Sequence, residues 1–169
     1  MDQTTHGEHN PRFSQIAERF TEMLEGSPSL SAQLSVRLHG EPVVDLAGEP
    51  GLERGSVTGV YSSTKGIAAL VIAGLLDRGL LDLDRTVSSY WPEFGEAGKS
   101  AITVRQLLSH QAGLPMVERQ LTADDVADSR AAAAVLASQA PWWRAGSACG
   151  YRALTIGILM EELVRRATG

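Results

Sequence analysis

The sequence predicts an α+β fold with a small antiparallel sheet, and three observations carry that prediction. Apolar residues recur at helical spacing over Phe13, Ile16, Ala17, Phe20 and Leu24. Two short stretches rich in strand formers, Gln33–Leu38 and Val43–Leu46, then flank a turn. Beyond residue 60 the pattern is helical or irregular throughout. The sheet so predicted is incomplete, because a lone hairpin is marginal and leaves both edges open for pairing.

Taken in order, residues 1–12 are polar and read as a flexible tail. The first helix stops at Gly26, and His39-Gly40-Glu41-Pro42 turns the chain between the two strands. Residues 48–59 carry four glycines and read as a loop. A helix from Ser62 to Leu76 follows, closing at Asp77-Arg78-Gly79; being apolar on nearly every face, it is expected to be buried on nearly every side. Leu80 to Ser100 is irregular, and Thr103-Val104-Arg105-Gln106 has the form of a capping box opening a short helix that ends at Gly113. Thr122-Ala123-Asp124-Asp125 starts another helix, and Ala131–Ala137 is strongly helix-favouring. The loop from Pro141 to Gly150 leads into a last amphipathic helix over Tyr151–Ala167. No internal repeat and no clear domain linker is evident.

Composition narrows the function. With 169 residues, 43% hydrophobic and 21% charged, the chain is neither disordered, collagen-like nor a disulfide scaffold. A formal charge of −5 argues against a nucleic-acid partner. Cys149 is the single cysteine, so no internal disulfide can form. The polar first ten residues lack the apolar centre of a secretory signal, and the longest apolar run, Ile67–Leu76, is ten residues, well short of a membrane span. A cytoplasmic protein with no membrane partner is the expectation.

Ser62-Ser63-Thr64-Lys65 is a Ser-x-x-Lys tetrapeptide at the start of the apolar helix. Residues three apart on a helix share a face, so hydroxyl and amine can meet. A buried amine at a helix start loses its proton more readily than one in water, and can then take the serine's proton to create a nucleophile. The peptide N–H groups at the same helix start can bind a developing oxyanion. Fifteen serines and two lysines, Lys65 and Lys99, produce one such tetrapeptide by chance in about one chain of six of this length. Context raises it above chance, because Lys65 is the only charged residue from Gly55 through Leu76 and lysine is rarely fully buried. Tyr61 and Lys65 also spell Tyr-x-x-x-Lys, the pair of short-chain dehydrogenases. That reading fails, since nothing upstream supplies a dinucleotide-binding turn with its strand–helix units.

Tyr61-Ser62-Ser63-Thr64-Lys65-Gly66 with the helix after it resembles the active-site segment of the serine β-lactamase and penicillin-binding superfamily. Tyr90-Trp91-Pro92-Glu93-Phe94, the block from Ile102 to Pro115, and the block from Gly150 to Gly169 are similar to the class C branch, which includes family VIII carboxylesterases. By position, the resemblance implies Ser62 as acylated nucleophile, Lys65 as its partner, and Tyr151 as general base or proton shuttle. It gives His110 a structural place. Trp142, Trp143 and Val117 are candidates to line an apolar acyl pocket, with packing the other reading of the tryptophans. Cys149 reads as a packed thiol, and His6 and His9 lack a third ligand for a metal.

Two departures from the family pattern matter. Many β-lactamases of this branch have Tyr-x-Asn, whereas Tyr151 is followed by Arg152-Ala153, and Asn10 is the only asparagine. That tilts the expectation toward a carboxylesterase-type hydrolase. The third motif, Lys-Thr-Gly, His-x-Gly or a Trp-Gly-Gly-like triplet, is absent. The resemblance thus implies a β-lactamase-like antiparallel sheet with flanking helices plus a helical region. Residues 13–169 are expected to be the N-terminal portion of the hydrolase domain, its sheet completed by a further C-terminal part or a partner chain. It also implies a small-molecule ester or lactam substrate, and no metal or organic cofactor. The alternatives are a β-lactamase or peptidase-type acyl hydrolase, and a non-catalytic truncated fragment.

Overall fold

The computed structural model describes residues 5–48, 51–119, 122, 124 and 128–169. The helix start expected at Thr122–Asp125 falls largely on positions outside the described residues. The chain divides into two compact units, Met1–Gly59 and Val60–Gly169. The boundary, which the sequence did not announce as a linker, falls at the end of the glycine-bearing stretch read as a loop.

In the first unit, strand β1 (Thr5–His9) precedes helix α1 (Ser14–Glu25), followed by β2 (Ala32–Leu38) and β3 (Glu41–Gly48). The sheet is antiparallel with order β1-β3-β2. Leu34 lies opposite Leu46 and Val36 opposite Val44, so the hairpin register puts the strand formers of β2 and β3 on one face. Phe20 and Leu24 of α1 bury themselves against Val44 and Leu46. The turn at His39-Gly40 has both residues at positive φ, 51° and 87°, the geometry of a two-residue hairpin turn.

The flexible tail expected over residues 1–12 is therefore corrected for its described part, residues 5–12. From Thr5 the chain is a strand, registered from Thr5 opposite Gly48 to His9 opposite Val44. Residues 11–13 then form a single turn in which the Asn10 side chain accepts the Arg12 N–H. Its sequence hid this because β1 pairs through backbone alone and carries no apolar alternation. Gly7, at φ 122°, allows a close approach to Asp45 that a Cβ would block at 2.0 Å from the Asp45 carbonyl oxygen.

The second unit is built from α2 (Thr64–Asp77), α3 (Val104–Leu108), α4 (Ser129–Ser138) and α5 (Thr155–Thr168). The capping box forms as the sequence predicts. Thr103 Oγ1 accepts the Gln106 N–H at 3.2 Å, and Gln106 Oε1 accepts the Thr103 N–H at 3.0 Å. The Asp128 side chain caps α4 by accepting from Arg130 and Ala131 N–H. Leu107, Leu136, Leu159 and Leu163 meet in one core with Val87, Trp91 and Phe94. The rings of Trp91 and Phe94 lie 5.3 Å apart.

Two expectations about burial are overturned. Only Ile72 and Leu75 of α2 are buried, while Ile67, Leu70 and Val71 remain exposed, Leu70 at 69%. An all-apolar helix needs packing on every side, and the described residues supply it along one stripe. Lys65 is half-buried rather than buried, and the fully buried lysine is Lys99. Its ammonium donates to the carbonyls of Glu96 and Gln139 and lies 5.5 Å from the Phe94 ring centroid. Burial pulls its pKa below the ordinary lysine value, opposed by the charge of Glu96. Among the described residues, no helix is long and apolar enough to cross a membrane.

These placements predict opposite outcomes for two leucines. Leu136→Ala removes a fully buried side chain and is expected to lower the free energy of unfolding by about 2–5 kcal/mol. Leu70→Gln, on the exposed face of α2, is expected to change it by less than about 0.5 kcal/mol. Urea unfolding followed by circular dichroism measures both. A large cost at Leu70 would contradict the exposed placement of that face.

Candidate active site

Tyr61–Ser63 form one tight turn that runs directly into α2. Three residues per turn places Ser62 and Lys65 above one another. The Lys65 Nζ donates to Ser62 Oγ at 3.1 Å. Tyr61, immediately before, has φ 43° and is almost fully exposed. A bulky side chain rarely adopts that left-handed conformation, so the backbone entering the turn is held against its own preference.

The second side of the site comes from the far end of the unit. Tyr151 lies in an irregular segment before α5, which starts at Thr155, four residues later than the sequence suggested. This segment's backbone is engaged with residues outside α5. The Gly150 N–H donates to the His110 carbonyl at 3.0 Å, and the Arg152 N–H donates to His110 Nδ1 at 3.1 Å. The Ala153 carbonyl accepts from Lys65 Nζ at 2.7 Å. Tyr151 OH is thereby brought to 3.0 Å from Ser62 Oγ, across 89 positions of chain.

Ser62 and Lys65, read as one tetrapeptide, and Tyr151, reached through resemblance, thus form one hydrogen-bonded group. Lys65 Nζ also lies 5.4 Å from the Tyr151 ring centroid. The phenol's pKa is held below its ordinary value, first by its hydrogen bond to Ser62 and next by Lys65, with desolvation opposing them. Tyr151 remains 60% exposed, so the group is open to solvent and to a ligand. It can pass a proton along a short path from a hydroxyl to a phenol beside a cation. Among the described residues there is no cluster of histidine, cysteine and carboxylate groups able to hold a metal ion.

The three apolar residues expected to line a pocket fare differently. Trp143 lies under the loop that carries Tyr151. A Cβ on Gly150 would fall 2.5 Å from its ring, and the indole N–H donates to the Ala148 carbonyl at 3.1 Å. Val117 packs on the core of the unit. Trp142 stays exposed, its indole N–H donating to Glu118 at 3.2 Å. The thiol of Cys149 is exposed and donates to the Ser109 carbonyl at 3.6 Å.

Sequence reasoning missed the Ala153 carbonyl, which takes up a hydrogen bond of the lysine where an asparagine amide was looked for. It also missed the buried Arg152, 1% exposed, whose guanidinium donates to the Leu107 carbonyl and approaches His110 Nδ1 at 3.5 Å. Burial pulls that arginine's pKa down to about 10. No local pattern announces either contact, because one partner is a backbone atom and the other lies 42 positions away.

Comparison with known proteins finds relatives of this chain. The beta-lactamase family model matches residues 16–169. The chain is 39% identical to the esterase/beta-lactamase LipL of Mycobacterium tuberculosis, over 96% of this chain and 39% of that protein. It superposes on EstA from Arthrobacter nitroguajacolicus Rue61a with a TM-score of 0.91 and 51% identity, covering 100% of this chain and 45% of that one. A family VIII carboxylesterase superposes with a TM-score of 0.92 and 36% identity, covering 98% and 47%. The chain spans less than half the length of each of these proteins.

The geometry predicts the titration of the phenol. With Tyr151 labelled at Cζ and followed by carbon NMR, the native phenol is expected to titrate below the ordinary value of 10.0. Lys65→Met removes a hydrogen bond and a cation that favour the phenolate, so the midpoint should move up toward that value. An unchanged midpoint would show that the lysine does not act on the tyrosine.

Proposed function

Because the chain belongs to the beta-lactamase family, we propose that it carries the nucleophile region of a serine acyl hydrolase, with Ser62, Lys65 and Tyr151 as its catalytic residues. The observation that carries the reading is the continuous path from Lys65 Nζ through Ser62 Oγ to Tyr151 OH, with steps of 3.1 and 3.0 Å. In the proposed reaction Tyr151, as phenolate, accepts the Ser62 proton while the Lys65 ammonium offsets its charge. Ser62 Oγ bonds to the substrate's carbonyl carbon, and the resulting oxyanion is met by the Ser62 N–H at the helix start. The carbonyl-to-alkoxy bond then breaks, and the leaving alcohol takes the proton back from Tyr151. Water, deprotonated by the same phenolate, attacks the acyl carbon; the acid leaves and Ser62 regains its proton.

An ester is the proposed substrate. Ala153 offers no side-chain amide to a lactam, and the family VIII carboxylesterase named above supports the ester reading. A lactam is the second reading, favoured by the double name of the mycobacterial relative. Trp142, the exposed one of the three apolar candidates, is proposed to meet the acyl chain, with Trp143 and Val117 acting through packing. We further propose that residues 13–169 form the N-terminal portion of the hydrolase domain, in line with the share of its relatives that the chain spans. A strand carrying the third motif would come from the remainder.

A fluorophosphonate probe tests the nucleophile. The native chain is expected to be labelled, Ser62→Ala to show no labelling, and Lys65→Met to label about 10²–10⁴-fold more slowly, the usual worth of proton-transfer assistance. Labelling of Ser62→Ala at the native rate would remove Ser62 from the mechanism. No labelling of the native chain would sink the claim that these residues act without a further part. A chromogenic ester assayed beside a chromogenic cephalosporin separates the substrate classes, and preferred turnover of the cephalosporin reverses their order.

A further inference from the structure

His110 lies two residues beyond the short helix α3 and has no hydrogen bond to Ser62 or Lys65 among those described, yet its environment is that of a built support. Its φ is 63°, a left-handed conformation in which Asn, Asp and His are the tolerated side chains. Its carbonyl accepts the Gly150 N–H and its Nδ1 accepts the Arg152 N–H, so the two peptide groups flanking Tyr151 are both tied to this one residue. Its ring lies against the Tyr151 ring, centroids 5.2 Å apart and planes inclined by 40°. A nitrogen that accepts a backbone N–H carries no proton, which fixes the neutral tautomer with hydrogen on Nε2.

We propose that His110 is a positioning residue, whose Nδ1 holds the Arg152 N–H and whose ring backs the phenol, and that together these seat Tyr151 against Ser62 and Lys65. The inference rests on the Ser62–Lys65–Tyr151 reading and adds the element that keeps its third member in place. Only a neutral imidazole can do this. Protonation turns Nδ1 into a donor facing another donor, and the Arg152 bond is lost. Of the charged and titratable groups that face the ring, the Arg152 guanidinium and the Lys65 ammonium both repel an imidazolium, while the Tyr151 phenol packs on it. Partial burial acts in the same direction and is the largest cause of a pKa below the ordinary 6.5. The sign of the pH effect follows. The histidine's folded pKa is depressed, so its stabilising contribution is full above about pH 6.5 and is lost as pH falls toward the folded value.

Two substitutions separate the side chain's role from the backbone's. His110→Gly keeps the left-handed conformation without strain but removes both acceptor and ring. His110→Asn keeps the conformation and sets its Oδ1 where Nδ1 was. The readout is the titration of Cζ-labelled Tyr151 in the 169-residue chain, with thermal melts run beside it. The account expects His110→Gly to move the Tyr151 midpoint up toward 10.0 and His110→Asn to return most of that shift. In the native chain, the Tyr151 resonance should also move with the titration of the His110 imidazole on the acid side, and this step should vanish in His110→Asn. That native measurement stands even where the glycine variant fails to fold.

A lowered native midpoint that His110→Gly leaves in place overturns the role of His110 alone. A shift that His110→Asn fails to reverse, with both variants folded, overturns the acceptor's part in it, and so does a Tyr151 resonance blind to His110 protonation. A native Tyr151 that titrates at its ordinary value overturns the Ser62–Lys65–Tyr151 reading itself, and the positioning role falls with it.

Discussion

The Lys65 ammonium joins two segments of chain that nothing else in their local sequence would bring together. It donates to Ser62 Oγ on its own turn of helix and to the Ala153 carbonyl 88 residues away. The second bond fixes the segment before α5, and with it the height of Tyr151 over the serine. An ammonium has three donors and a flexible stem, so it can satisfy a helix-borne hydroxyl and a distant backbone carbonyl at once. Without the Ala153 carbonyl the lysine would remain a neighbour of the serine but would no longer bind the two walls of the site. The same cation lies beside the phenol and favours its ionised form. One charge thus organises geometry and acidity together.

That arrangement is held by backbone that departs from regular structure where the site needs it. Tyr61 and His110 both take left-handed conformations, one just before Ser62 and one behind Tyr151. Strained residues persist only when their surroundings over-determine them. At His110 the determinants are visible, since its carbonyl and its Nδ1 each accept a peptide N–H next to Tyr151. Trp143 adds a rigid floor under Gly150, close enough that no side chain fits there. The apolar core around Trp91, Phe94 and Leu107 anchors α3, and His110 follows two residues beyond it. Packing energy is in this way transmitted to the placement of a single phenol.

How much of this was legible in the sequence depends on whether the signal is local. The Thr103 capping box, the hairpin turn and the helix after Ser62 follow from residues within a few positions of one another; the box forms as read, while β3 begins at Glu41 rather than Val43 and α2 at Thr64 rather than Ser62. Ser62 and Lys65 were legible for the same reason. Tyr151 was reached only through resemblance, because its partner stands 89 residues away. Strand β1 was read as a tail since its pairing uses backbone groups and a glycine rather than an apolar pattern. The burial of α2 was misjudged, and so was the choice of buried lysine. An apolar composition states what a helix can bury, whereas the neighbours present decide what it does bury. Lys99 lies deep because two carbonyls meet its ammonium there, which no residue pattern announces.

The central claim is that Ser62 takes up an acyl group through the relay formed with Lys65 and Tyr151. Rapid acid quench of the protein mixed with an activated short-chain ester, followed by peptide mass spectrometry, reads this directly. The account predicts an acyl adduct on the peptide containing Ser62, formed within the first turnover and absent from Lys65→Met on the same time scale. An adduct on another residue, or one that forms on Ser62 equally fast without the lysine, would contradict it.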